Sequence, residues 1–426
     1  MGKNRKKQVV ITGIGVVSPI GIGKDLFWEN ALAGKDGFDN IPFLDAQQKP
    51  LLGGIIKNFE PKEYITQRKS LKVMSKDMQT AAAAARLAID DSGIDYKEVD
   101  PTRLGVCIGA GMINADIQEL GNPIAHSKPF SLKTFGKEAM DKLFPLWLLK
   151  QLPNMIASHI SIMFNAQGPS NTLTHASAAG LHAVAEASFI IERGDADIVI
   201  CGAADSHTHP IDILKYRLLG VLAEKTGDLC DIYSPYGKGR CGFLPGEASV
   251  VFVIESIEHA NARGVKPYAQ ISGYGSTAGV EFFEKDIEKR SYIESISMQK
   301  AISCAGISPE EIDYIAGHGC SSVIGDLVES EAYRKVFGKK ADSIPISSPS
   351  SMTGFLGAST GCIGLAASLM AMVDGKIPPT MFIQQPDQQC DLDYVPDRFR
   401  QHTVNRAIIN VFDFCGQGSA MVVSKL

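Results

Sequence analysis

The chain has 426 residues, 45% of them hydrophobic and 21% charged, which is enough to bury one large core or two ordinary ones. With 47 acidic against 42 basic residues the formal net charge is -5, so nothing global draws it to nucleic acid. Its nine cysteines (Cys107, Cys201, Cys230, Cys241, Cys304, Cys320, Cys362, Cys390 and Cys415) stand singly, without a CxxC pair, which argues against a disulfide framework and for a reducing cytoplasm.

The basic leader "MGKNRKKQ" runs into the strand-like "VVITGIG", too short for the apolar core of a signal peptide. No run approaches the roughly 18 apolar residues that a membrane span requires. In "QRKSLKVMSKD", the spacing of Arg68, Lys69, Lys72 and Lys76 gathers four cations towards one side of an expected helix. A helix ending in "AIDDSGI" then leads to the strand and Gly-rich loop "RLGVCIGAG". Roughly from Asn114 to Asn154 lies an insertion with Pro, Phe and Trp residues, read as a lid or dimer contact.

The next stretch, "NTLTHASAAGLHAVAEA", sets Ser177 at the start of an Ala-rich helix. A serine there serves either as an N-cap or as a reacting group, because unpaired N–H groups and the helix dipole favour an oxyanion at that point. In "ADSHTHP", His207 and His209 alternate like metal ligands, with His175 elsewhere. No carboxylate or cysteine set accompanies them, so they are read as a loop pair and no metal is expected.

Past residues 255 to 267 the chain repeats itself in order, giving halves 1–258 and 259–426. "VVITGIG" returns as "AQISGYG", each read as a strand ending in a Gly-x-Gly turn. "AIDDSGI" returns as "AISCAGI", and "ASAAGLHAVAEASFIIERG" as "ASTGCIGLAASLMAMVDG". Strands alternating with helices, many of them apolar throughout, indicate a buried α/β sheet in each half. In the second half "YIAGHGCSSVIGDLVESE" ends a strand at His318, ahead of a helical stretch carrying Asp326 and Glu329. Strand ends are where α/β proteins bind ligands, so His318 is a candidate general base.

The motifs "VVITGIGVVSPIG", "GPSNTLTHASAAG", "RGDADIVICGAAD", "YIAGHGCSSVIGD", "SSPSSMTGFLGAS" and "NVFDFCGQGS" resemble, end to end, the KAS II-type β-ketoacyl-acyl carrier protein synthases of the thiolase-like superfamily. That resemblance implies a thiolase-like duplicated αβαβα sandwich, an α/β fold. It implies substrates carried on the phosphopantetheine of an acyl carrier protein, with no bound cofactor. Ser177 falls where the family has its nucleophilic cysteine, and His318 on the first catalytic histidine. Ser350 falls on the family's lysine and Phe355 on its second histidine. The backbone N–H groups of Ser177 and Phe414 fall on the oxyanion hole, in a loop where Asp413 and Cys415 replace glycines. Met112, Cys320 and Ser322 fall near the pocket and pantetheine, with Asp326 and Glu329 as structural neighbours. Arg68, Lys69, Lys72 and Lys76 fall on a basic patch near the carrier entrance.

From these correspondences the expected function is acyl-chain assembly of the fatty-acid or polyketide type, with condensation impaired or non-standard. The alternatives are a non-catalytic chain-length-factor-like partner of an active ketosynthase and a carrier-binding scaffold. A dimer is expected, homodimeric or with an active ketosynthase, paired through the strand within "QGPSNTLTH".

Overall fold

The structure, a computed structural model, describes residues 7–41, 51–224, 227–279, 286–413 and 415–426. Ten strands build its main sheet: β1 (Val9–Ser18), β2 (Leu104–Ala110), β3 (Ser170–Leu173), β4 (Ile198–Ser206), β5 (Glu247–Ser256), β6 (Ala269–Ala278), β7 (Tyr314–Ala316), β8 (Ile346–Ser347), β9 (Arg406–Phe412) and β10 (Gln417–Ser424). A further two-residue strand, Gly21–Ile22, pairs with β1. Six helices matter for the site: α1 (Lys76–Ser92), α2 (Ala179–Arg193), α3 (Pro210–Leu219), α4 (Ile287–Ala305), α5 (Gly325–Phe337) and α6 (Thr360–Asp374).

The strand order is β8-β7-β9-β10-β6-β1-β5-β4-β2-β3. Outward from the centre, one side runs β1-β5-β4-β2-β3 and the other β6-β10-β9-β7-β8, so the same order occurs twice. Directions repeat with it: two antiparallel pairings, then two parallel ones, on each side. The sides join where β1 meets β6 antiparallel, with Val10 opposite Gln270.

The Gly-x-Gly pairs read as turns lie instead inside β1 and β6. Their reason is close approach: a Cβ on Gly15 would stand 1.9 Å from the Ala84 carbonyl oxygen of α1, and one on Gly275 2.1 Å from that of Ser297 on α4. Each half therefore presses a helix onto its own glycine pair. The small-residue helices α2 and α6 meet in the middle, where their buried side chains share one apolar cluster with strands from both sides of the sheet.

With the turn before it, α6 forms an 18-residue span, Gly357–Asp374, of mean hydropathy 1.3. That reaches the length and apolarity of a membrane span, contrary to the sequence expectation, but 89% of it is buried inside the fold. A helix covered on every side needs no polar stripe.

The basic segment is also not one helix. Ser75 caps α1 by accepting from the Met78 N–H at 3.4 Å, so the helix cannot extend back through Lys72. Lys72 lies on a four-residue 3-10 turn, Ser70–Val73, with Arg68 and Lys69 just before it. The insertion forms short surface helices, Ile117–His126 and Leu132–Glu138, and Asn114 ties its start to α3 by a hydrogen bond to Asp212.

Candidate active site

Ser177 is 1% exposed at the entry to α2. It does not cap that helix: the N-cap is Ala178, which makes no side-chain cap bond. The preceding residue, Ala176, takes a positive φ of 45°, a conformation costly for a residue with a Cβ and held only where the surroundings enforce it. The Ser177 hydroxyl instead donates to Asp413 Oδ2 at 2.8 Å, and the Ser177 N–H points at the same oxygen at 3.4 Å. The other oxygen of Asp413 accepts from the Cys415 N–H at 2.9 Å. Asp413, 4% exposed, is thus oriented at both oxygens.

Asp413 was missed as a functional residue by sequence reasoning, which saw only an acid where a glycine is expected. The partners are 236 positions apart, so no local pattern joins them.

His318 leaves the end of β7 and is 3% exposed. Its N–H and that of Gly319 donate to the Glu329 carboxylate at 2.7 and 3.0 Å. The hydroxyls of Tyr333 and Tyr236 add bonds to Glu329 of 2.5 and 2.8 Å. Glu329 therefore fixes the backbone that presents the imidazole. Asp326 does the same for the following loop, accepting from the Tyr236 and Ser322 N–H groups at 2.8 and 3.1 Å, and burial pushes its carboxyl up to about 7.

The His318 ring lies 4.6 Å from that of Phe412 and 6.0 Å from that of Phe355, and its buried Nδ1 has no hydrogen-bond partner among the described residues. Burial holds the imidazole below its usual range, against the opposing charges of Glu329 and Asp413, so it is neutral near neutral pH. No hydrogen bond links it to Ser177 among the described residues.

Phe355, 3% exposed, packs 4.6 Å from Phe243 and 5.1 Å from His207. Ser350 is 1% exposed, and its hydroxyl has no partner among the described residues. The His207 ring is spoken for at both nitrogens, Nε2 by Asp205 at 3.0 Å and Nδ1 by the Tyr216 hydroxyl at 2.7 Å. Burial alone would lower its pKa, but the Asp205 charge and hydrogen bond raise it. His209 Nδ1 accepts from the Ile211 N–H at the start of α3. The His175 ring lies against that of His182, centroids 4.3 Å apart.

Cys320 and Ser322 lie on the loop beyond His318, whereas Met112 is 74% exposed at the surface. Burial drives the Cys320 thiol well up, and burial with the Asp413 charge pushes the Cys415 thiol up to about 12, so neither is a ready thiolate. Phe414 lies outside the described residues. All four of the basic set are exposed, and Lys76, its side chain 50% exposed, is also bound at 2.5 Å to the buried carboxylate of Glu247.

A twice-repeated sheet order with a buried hydroxyl at a central helix start and an imidazole at a strand end defines an acyl-transfer scaffold of the thiolase-like class. Residues 6–260 match "Beta-ketoacyl synthase, N-terminal domain" and residues 268–384 match "Beta-ketoacyl synthase, C-terminal domain". The chain belongs to the β-ketoacyl synthase family, of KAS II type. It is 35% identical over 427 aligned positions to 3-oxoacyl-[acyl-carrier-protein] synthase 2 of Staphylococcus aureus (strain COL), covering 99% of each chain. To the protein of the same name from Coxiella burnetii it is 32% identical, again covering 99% of each.

Among solved structures it superposes with a TM-score of 0.87 on one described as a type II polyketide synthase acyl-carrier protein in complex with its ketosynthase bound to the hexaketide (27% identity, 99% of this chain and 100% of that one). The ishigamide ketosynthase/chain length factor gives the same TM-score at 26% identity and the same coverage.

Proposed function

We propose that this protein serves acyl-chain assembly of the fatty-acid or polyketide type, meets its substrates on the phosphopantetheine arm of an acyl carrier protein, and is impaired in malonyl-dependent condensation on its own. The observation that carries this reading is the Ser177 hydroxyl bonded to Asp413, joined to the sequence resemblance by which Phe355 and Ser350 fall on the remaining family positions. A hydroxyl is a far weaker nucleophile than a thiolate unless a base activates it. Decarboxylation of malonyl leaves enolate charge on the thioester oxygen, and Phe355 has no hydrogen to donate to it. Loss of one such donor costs roughly 100- to 1000-fold in rate. His207 does not substitute for it, since both of its nitrogens are already bonded. Phosphopantetheine travels on the carrier, so no resident cofactor is required.

The second reading, a subunit resembling a chain-length factor beside an active ketosynthase, needs a contact face, as a homodimer would. On α3 the residues Ile211, Leu214 and Leu218 leave an apolar stripe exposed, with Leu218 at 81%. The nine cysteines are all unpaired, as suits a reducing cytoplasm.

The test is an assay with carrier-bound acyl and malonyl groups. The partner-free protein is expected to form little β-ketoacyl product, and S177C alone is expected to restore little of it. Adding F355H and S350K to S177C should raise product at least several-fold. Robust product from the unmodified protein sinks the proposal of impaired condensation.

A further inference from the structure

We infer that Asp413, rather than His318, is the catalytic base that takes the hydroxyl proton of Ser177 when an acyl thioester is attacked. This rests on the reading of Ser177 as the residue in the nucleophile's place. The geometry is direct. The hydroxyl already donates to Oδ2 at 2.8 Å, a bond along which a proton can move, whereas no hydrogen bond joins it to His318 among the described residues. Asp413 is held for this task by the Cys415 N–H on its other oxygen, and by backbone bonds on both sides: its N–H to the Gln417 carbonyl at 2.8 Å, and its carbonyl from the Gly416 N–H at 2.9 Å. The carboxylate is therefore aimed by hydrogen bonds made just past the end of β9.

The step balances as follows. The Oγ–carbon bond forms, the hydroxyl proton passes to Oδ2, and the carbonyl oxygen takes up the negative charge. Collapse of that oxyanion breaks the carbon–sulfur bond, and the proton on Asp413 goes to the departing sulfur. The products are an ester on Ser177 and a free carrier thiol. A carboxylate beside an oxyanion would normally oppose it, but here its charge is neutralised by the same proton transfer that creates the oxyanion. The Ser177 N–H, only loosely engaged by Oδ2 at 3.4 Å, is released towards the acyl oxygen as Asp413 becomes neutral. His318, whose buried Nδ1 has no partner among the described residues, is left for the acyl group or the second substrate.

The experiment incubates the full-length protein with an octanoyl-acyl carrier protein thioester and follows the adduct by intact-protein mass and peptide mapping. Carrier affinity is measured on the same samples, and thermal melting confirms that each variant is folded. The wild type should acquire one acyl group on Ser177 and S177A none. D413N should slow acylation roughly 100-fold or more, with D413E recovering part of the rate. D413N acylating as fast as the wild type, or faster, overturns the assignment and shows that the carboxylate obstructs the site. A wild type that takes no acyl group also overturns it. In that case retained carrier binding leaves the carrier-dependent function standing, and lost binding removes that as well.

Discussion

With Ser177 in the nucleophile's place, as proposed, the Ser177–Asp413 pair changes the demands on its neighbours. A thiol can ionise by itself near neutral pH, whereas a hydroxyl needs a proton acceptor within hydrogen-bond reach, and the loop that carries Asp413 supplies one at 2.8 Å. The same crowded site sets the protonation of the histidine stack. Burial and the neighbouring His175 bring the His182 pKa down from 6.5 to about 4. Between those two values the unfolded chain holds a proton that the folded chain refuses, so stability falls as pH drops through that window and is unaffected above it. His182→Phe keeps a ring against His175 and Tyr274 and removes the titration. Urea unfolding at about pH 7.5 and about pH 4.5 should show the acid penalty shrinking by about 1 to 2 kcal/mol, discounted for partial solvent access. An unchanged difference between the two pH values would place the acid sensitivity elsewhere.

At the scale of elements, the duplication was legible because the constraint behind it is local. Helices α1 and α4 each press onto a glycine pair in the strand beneath, so both copies keep that pair at the same place, although reading it as a turn mistook contact for a change of direction. Ser177 and His318 were legible as well, one at a helix start and one at a strand end. What stayed hidden depended on long-range pairing: Asp413 finds Ser177 from the far end of the chain, and Lys76 finds Glu247 across 171 positions.

Lys76 therefore belongs to the fold, and a docking surface has to be sought among Arg68, Lys69 and Lys72. The double substitution K69E/K72E is expected to weaken carrier binding at least tenfold at low salt, with the loss shrinking as salt is raised. K76M should act differently. It leaves the buried Glu247 carboxylate without its cation, lowering stability by about 1 kcal/mol because the lysine itself is half exposed. Unchanged carrier affinity in K69E/K72E, measured by calorimetry at two ionic strengths, would take these lysines out of the interface.

On the scale of the whole molecule, the sheet is closed off unequally. β8 at one end is a buried two-residue strand, while β3 at the other is exposed along Ser170 and Asn171, a free edge of the kind that folded proteins pair or cover. Apolar surface lies in the same half: Leu214 is 57% exposed and Leu218 81% on α3, and Leu132 84% in the insertion. Asn114 ties the start of the insertion to Asp212 and Lys215 of α3. Water-exposed leucines on one helix stripe and an exposed sheet edge are each a face of the kind that a second subunit covers. Light scattering at micromolar concentration should give twice the 45.8 kDa chain mass for a homodimer. The pair L214E/L218E should reduce that to the monomer without lowering the melting temperature of the monomeric fold, because both side chains already face solvent. A wild type that is monomeric alone, yet doubles in mass when an active ketosynthase is added, would assign the same face to a heterodimer. A variant that stays dimeric would move the contact away from α3 and leave the β3 edge to carry it.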